Sequence, residues 1–204
     1  MSKLYYRYGA MNAGKTLSLL AVNHNYIEQG KNTLILKSVT DSRSSVGKIE
    51  SRAGLSAKCD DISNDTDLYK HIQSHLNLNG NLDCILVDES QFLSRDQVDE
   101  LFMYAKLKNK PVICYGLRSD FKSLAFPGSQ RLFEVADVME ELITICRCGK
   151  RAKFNGRIVN GEFTSSGEQV AIDGENEVEY ESLCGRCYLN KVLGITLDNS
   201  DFKE

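Results

Sequence analysis

The sequence predicts an α/β fold, with a mainly parallel sheet covered on both faces by helices and followed by a smaller, loop-rich C-terminal unit. Three observations predict it. Short apolar runs alternate with helical repeats through the first two thirds of the 204 residues, the pattern of successive βαβ units. A glycine-rich string joins the first run to the first helical repeat. After about Thr144 the character changes, and two cysteine pairs bracket a stretch with five glycines and only short apolar runs. Hydrophobic residues make up 42% of the chain and charged residues 26%, enough to bury a core. These features divide the chain into 1–143, 144–197 and a polar, flexible tail over 198–204.

The elements follow in order. Leu4–Tyr8 reads as a strand ending at Gly9. Lys15–Gln29 reads as a helix with Leu17, Leu20, Ala21 and His24 at i, i+3, i+4, i+7 spacing, closed by Gly30. Thr33–Lys37 is a second strand, and the Ser- and Arg-rich residues 40–56 form a long loop. Asp67–Leu78 is helical, and Leu82–Asp88 is a buried strand. Ser94 caps a helix whose Val98, Leu101, Phe102 and Ala105 face the core. Pro111–Gly116 is a fourth strand, followed by a short helix near Ser129–Ala136 and a strand over Met139–Ile145.

Gly9-Ala10-Met11-Asn12-Ala13-Gly14-Lys15-Thr16 satisfies the G-x-x-x-x-G-K-[ST] pattern at every position. Its glycines allow a tight turn whose N–H groups point at phosphate oxygens, and the following helix adds the positive end of its dipole. Lys15 would reach the β and γ phosphates and the Thr16 hydroxyl would ligate Mg²⁺. A strand before and a helix after the string favour this over an ordinary glycine turn. The metal also needs a carboxylate at a neighbouring strand end, and Cys84-Ile-Leu-Val-Asp88-Glu89 supplies Asp88. Glu89, on the other side of the backbone, is placed to take a proton from an attacking nucleophile. Alone, an Asp-Glu pair is a solvated turn. With the phosphate loop it indicates ATP and Mg²⁺ bound for attack on the γ-phosphate, without identifying the attacker.

Cys146-x-Cys148 and Cys184-x-x-Cys187 match the ligand set of a structural Zn²⁺, which leaves no coordination position open for chemistry. The competing reading is four unrelated buried thiols. Zinc would replace the core that this Gly-rich segment cannot build. Cys84 and Cys114 lie in predicted strands and read as core residues. From Thr144 to Asn190 there are six Lys/Arg against seven Asp/Glu, so no excess positive charge invites nucleic acid. The net charge of −3 agrees. No run approaches the ~18 to 20 apolar residues of a membrane span. The first residues lack the apolar stretch of a signal peptide, and seven cysteines are too few and too odd for a disulfide scaffold. The expectation is a cytoplasmic protein with no membrane or nucleic-acid partner.

The assembled pieces resemble the zinc-containing (type II) thymidine kinase family of bacteria and animal cytosol. The resemblance rests on Leu4 to Thr16, on Thr40-Asp-Ser-Arg43 and on Ser51-Arg-Ala-Gly-Leu55. It continues through Asp88-Glu-Ser-Gln-Phe92, Tyr115-Gly-Leu-Arg-Ser-Asp-Phe121, Gly167-Glu-Gln-Val170 and the cysteine pairs. It implies a RecA-like phosphate-loop domain with a zinc-ribbon or lasso domain. The implied activity is transfer of the γ-phosphate of ATP to the 5′-hydroxyl of deoxythymidine, giving dTMP for DNA synthesis. By the same resemblance Glu89 is the general base, Lys15 and Arg43 (assisted by Arg52) steady the transferring phosphate, and Gln91 joins Asp88 and residues 9–16 around the nucleotide. Phe121 stacks on the pyrimidine, Met11 and Leu117 line its pocket, and Tyr180 contacts the sugar. A homotetramer inhibited by dTTP is also implied. The closing loop departs from the family by carrying Ile172-Asp-Gly174 and a longer acidic run before Tyr180.

The motifs admit two other readings. One is a RecA-like ATPase whose Glu89 activates water and whose zinc ribbon binds nucleic acid. The other is a zinc-stabilised nucleotide sensor without turnover.

Overall fold

A computed structural model describes residues 1–38, 46–169 and 177–196, and the chain falls into two units. The larger comprises Met1–Tyr8, Gly14–Arg118 and Phe126–Leu142. The smaller gathers Gly9–Ala13, Ser119–Ala125 and the chain from Ile143 onward.

Strand β1 (Leu4–Gly9) and helix α1 (Lys15–Glu28) open the chain. Then come β2 (Thr33–Ser38), the short strands β3 (Lys48–Glu50) and β4 (Ser56–Lys58), and β5 (Asp60–Ile62). Helix α2 (Leu68–Asn79), β6 (Cys84–Asp88), a 3₁₀ turn at Ser90–Phe92, α3 (Arg95–Leu107), β7 (Val112–Leu117), α4 (Pro127–Val135) and β8 (Val138–Glu141) follow. Six of these strands form one sheet in the order β5-β2-β6-β7-β1-β8, with β2 parallel to β5 and β6, β6 to β7, and β1 to β8. The α/β class expected from the sequence is observed.

Strand β6 shows why the sheet is continuously apolar. Its alternate residues face opposite ways and both faces are covered. Ile85 and Val87 join Leu68 and Ile72 of α2, Val98 and Leu101 of α3 and Leu132 of α4 in one cluster. Cys84 and Leu86 join Leu19 and Leu20 of α1 and Ile49 of β3 in the other. Cys84 and Cys114 are buried core residues, as read. Ser94 caps α3 with a full capping box, its side chain accepting from the Gln97 N–H and the Gln97 side chain accepting from the Ser94 N–H.

Three local expectations need correction. Helix α1 buries Leu19, Leu20 and Asn23, whereas Leu17, Ala21 and His24 are exposed. The apolar residues fit two rotational phases, and the turn that delivers Lys15 and Thr16 selects the one not predicted. Within 40–56, Lys48–Glu50 is a strand paired antiparallel with Ser56–Lys58; Ile49, between two exposed charged residues, is buried in the cluster with Leu19, Leu20 and Ile35. The run Met139–Ile145 is two strands, because β8 pairs with β1 while Thr144–Ile145 belongs to the smaller unit.

In the smaller unit, β9 (Thr144–Ile145) pairs antiparallel with β10 (Arg151–Ala152). Strands β11 (Phe154–Val159), β12 (Glu162–Thr164) and β13 (Val178–Leu183) form a sheet in the order β12-β11-β13, and helix α5 (Gly185–Leu193) follows. No helix among the described residues is long and apolar enough to cross a membrane. The expected tail over 198–204 lies outside the described residues.

Candidate active site

In the larger unit the end of β6 carries the acidic pair. Asp88 is buried, and its Oδ2 accepts a 3.0 Å hydrogen bond from the Thr16 hydroxyl. Both oxygens belong to hard, Mg²⁺-type donors and converge on one point, so the pair fits a divalent cation. Burial, then the negative charge of Glu89, pushes the Asp88 carboxyl up to about 7, with the Thr16 hydrogen bond working against them. Lys15 is lowered by burial; Glu89 and Asp88 favour its charged form and Arg52 opposes it. Lys15, Thr16, Asp88, Glu89 and Arg52 thus form one electrostatic group.

Glu89 leaves the strand in a left-handed conformation, φ 51° and ψ 36°, at a cost of about 1–2 kcal/mol for a residue with a Cβ. That bend turns the chain out of the sheet and into the 3₁₀ turn. Gln91, 1% exposed, donates from Nε2 to Glu89 Oε2 at 2.6 Å and accepts from the Leu117 N–H at 3.0 Å. The Leu117 carbonyl accepts from the Tyr6 and Ser129 hydroxyls, each at 2.7 Å. Glu89 is therefore oriented by a chain of bonds running back into β7. Gly116 permits the approach, since a Cβ there would meet Ser90 Oγ at 2.6 Å and the Gln91 backbone nitrogen at 3.0 Å.

Gly14 begins α1 at φ 71°, with no side-chain cap and no acidic residue in the first turn. The positive end of that helix is left for a bound anion.

In the smaller unit, the Met11 N–H donates to Asn155 Oδ1 at 2.8 Å, so this amide is held by the protein itself. Phe121 is 1% exposed, with the guanidinium of Arg157 5.0 Å and the ammonium of Lys122 5.6 Å from its ring centre. Its carbonyl accepts from the Tyr188 hydroxyl at 2.8 Å. Tyr180 is half-buried on β13, opposite Arg157 in register. Arg157 also donates to the Glu168 carbonyl at 3.0 Å. Sequence reasoning passed over Asn155, Ser182 and Arg157; each lies in a plain β pattern, and only the strand pairing brings them to Met11 and Phe121. Arg43 and the closing-loop residues 170–176 lie outside the described residues.

The four sulfur atoms of Cys146, Cys148, Cys184 and Cys187 lie within 4.8 Å of one another. Tetrahedral Zn–S bonds of about 2.3 Å require sulfur separations of about 3.8 Å, so the quartet fits Zn²⁺. Local folding explains the convergence. Cys146 donates its N–H to the Lys150 carbonyl and accepts from the Gly149 N–H, both at 2.8 Å, which makes a tight knuckle of the C-x-C pair. Cys184 stands at the start of α5, which brings Cys187 back by one turn. Burial, then hydrogen bonds among the crowded thiols, pushes Cys187 up to about 12.

Comparison with known proteins agrees with this geometry. A family model described as thymidine kinase matches residues 2–188. The chain is similar to the thymidine kinase of Mannheimia succiniciproducens, at 43% identity over 90% of this chain and 93% of that protein. It is similar to those of Pasteurella multocida, at 42% over 94% and 99%, and Streptococcus pyogenes, at 42% over 93% and 98%. These matches do not favour the reading as a nucleic-acid-stimulated ATPase. With a match that runs from the first strand to the last helix, the chain belongs to the thymidine kinase family.

Proposed function

We propose that the protein transfers the γ-phosphate of ATP to the 5′-hydroxyl of deoxythymidine, giving dTMP and ADP. The observation that supports this reading is the family match over residues 2–188 joined to a carboxylate, Glu89, held by Gln91 beside Lys15 and Asp88. Residues 9–16 and Gln91 bind the nucleotide, with Lys15 neutralising charge on the β and γ phosphates. Thr16 and Asp88 hold Mg²⁺, which when bound screens phosphate charge. Glu89 accepts the hydroxyl proton as the 5′-oxygen forms its bond to phosphorus and the bond to the ADP oxygen breaks. Lys15, Arg43 and Arg52 steady the transferring group, so catalysis is mostly positioning and charge neutralisation.

Met11, Leu117, Phe121 and Tyr180 serve the nucleoside. The two cations over the Phe121 ring are the groups a stacked pyrimidine must share it with. The four cysteines hold a structural Zn²⁺ that anchors both ends of the substrate-closing segment, which shuts out water. The organisation into 1–143 and 144–197, a cytoplasmic homotetramer and feedback by dTTP complete the reading.

The test is label transfer from γ-labelled ATP across a panel of nucleosides, with deoxythymidine expected to acquire the label first. Glu89→Gln should lower kcat by about 10²–10⁴-fold while ATP binding persists. Undiminished turnover would remove Glu89 from the role.

A further inference from the structure

We propose that Asn155 and Ser182 are positioning residues, gripping the two main-chain polar groups of Met11 so that the cysteine-anchored sheet sets the first half of the phosphate loop. Asn155 and Ser182 are directly opposed in the β11–β13 ladder, so their side chains leave the same face of the sheet. Asn155 is 2% exposed and both ends of its amide are used. Its Oδ1 accepts from the Met11 N–H and its Nδ2 donates to the Ser119 carbonyl, both at 2.8 Å. Ser182, also buried, donates its hydroxyl to the Met11 carbonyl. One peptide residue is thus held at its donor by one strand and at its acceptor by the next.

The loop needs such a hold. Within Gly9–Ala13 the Ala13 N–H reaches the Ala10 carbonyl at a long 3.4 Å, and Asn12 stands at φ 63°. Helix α1 takes over only from Lys15. The same Asn155 reaches Ser119, at the head of the segment bearing Phe121, so one side chain sets two short segments remote from it in sequence. Ser182 lies two residues before Cys184. The cysteine cluster is therefore linked to the Met11 peptide through two residues of backbone and one hydrogen bond, from the Ser182 hydroxyl. Both gripping groups are neutral, so the hold itself does not change with pH.

This inference rests on the reading that residues 9–16 bind a triphosphate, and the experiment keeps the two apart. The full-length, zinc-loaded protein and its Ser182→Ala, Asn155→Leu and double variants are compared. The readouts are zinc content, denaturant midpoint, amide exchange of the peptide covering 9–13, and KM and kcat with MgATP and deoxythymidine. Each single variant should keep one zinc per chain and accelerate exchange over 9–13 about tenfold relative to β6. The KM for ATP should rise about tenfold or more, since small misplacements in a reacting site are costly. The double variant should fall short of the product of the singles, because both grip the same residue. Unchanged exchange over 9–13 in zinc-retaining Ser182→Ala overturns the proposal, as does faster exchange with unchanged KM. Ser182→Ala deletes a single oxygen and decides the matter even where Asn155→Leu fails to fold. The exchange measurement needs no turnover, so a wild-type enzyme that labelled some other acceptor would refute the assigned substrate and leave the clamp standing.

Discussion

The two units are built on different principles. The larger closes two apolar clusters, of eighteen and nine buried residues, one on each face of its sheet. Among the described residues the smaller has one cluster of six, and two of those are Cys146 and Cys184. Burial at roughly 25 cal/mol per Å² gives the first a self-sufficient core, whereas in the second the four clustered thiols would, on the Zn²⁺ proposed above, offset the ordering of its loops. The lesson is a division of labour. Hydrocarbon holds the scaffold under Asp88 and Glu89, whereas the segments that carry Met11 and Phe121 are held by hydrogen bonds from the sheet and helix that flank the cysteine cluster.

The sharpest way to break this contrast is to remove the metal. A strong chelator, or Cys146→Ser, should collapse amide protection in β11, β13 and α5 while the β6 amides stay protected; structural zinc in small domains contributes about 10–16 kcal/mol. Uniform loss of protection would show that the two units fold as one. The reverse experiment is Leu86→Ala, at a fully buried site in the central strand. It should cost about 2–5 kcal/mol in denaturant unfolding of the larger unit without changing zinc content.

A subtler distinction is the sign of pH dependence. The Asp88 carboxyl has its folded value raised from 3.8 to about 7. Between those values the native state holds the extra proton, so Asp88's contribution to stability falls as pH rises through that window and is complete below it. In the smaller unit, with the proposed zinc bound, protons would compete with metal for the thiolates, so its stability should fall as pH drops. Asp88→Asn should therefore flatten the larger unit's profile between pH 4 and 7 in Mg²⁺-free buffer; parallel wild-type and variant profiles would contradict the burial of that charge. The smallest effect is expected of Ser94→Ala, which removes the cap of α3 and should cost about 1 kcal/mol, confined to the larger unit.

What the sequence made legible follows from how local each signal is. The phosphate string, the Asp88-Glu89 strand end, the Ser94 cap and the cysteine pairs are each written in a few adjacent residues; the string lies between β1 and α1, β6 ends at Asp88, Ser94 caps α3 and the four sulfurs cluster. The rotation of α1 was not legible, because Leu17 and Leu20 offer the same apolar character as Leu19 and Leu20 until the turn at Gly14 sets the phase. The 48–58 pairing was hidden by the polar residues on either side of the buried Ile49. Asn155 and Ser182 were invisible for a different reason. Their partner Met11 is 144 residues from one and 171 from the other, and only the completed ladder puts both on one face.

The bend at Glu89 carries a consequence for how this chain can change. A glycine would sit there more comfortably than any residue with a side chain, so selection for sturdiness alone would erase the carboxylate. On the role proposed for Glu89, thermal robustness and turnover would pull in opposite directions at a single codon, and libraries ranked by melting temperature would enrich for well-folded, inert proteins at position 89.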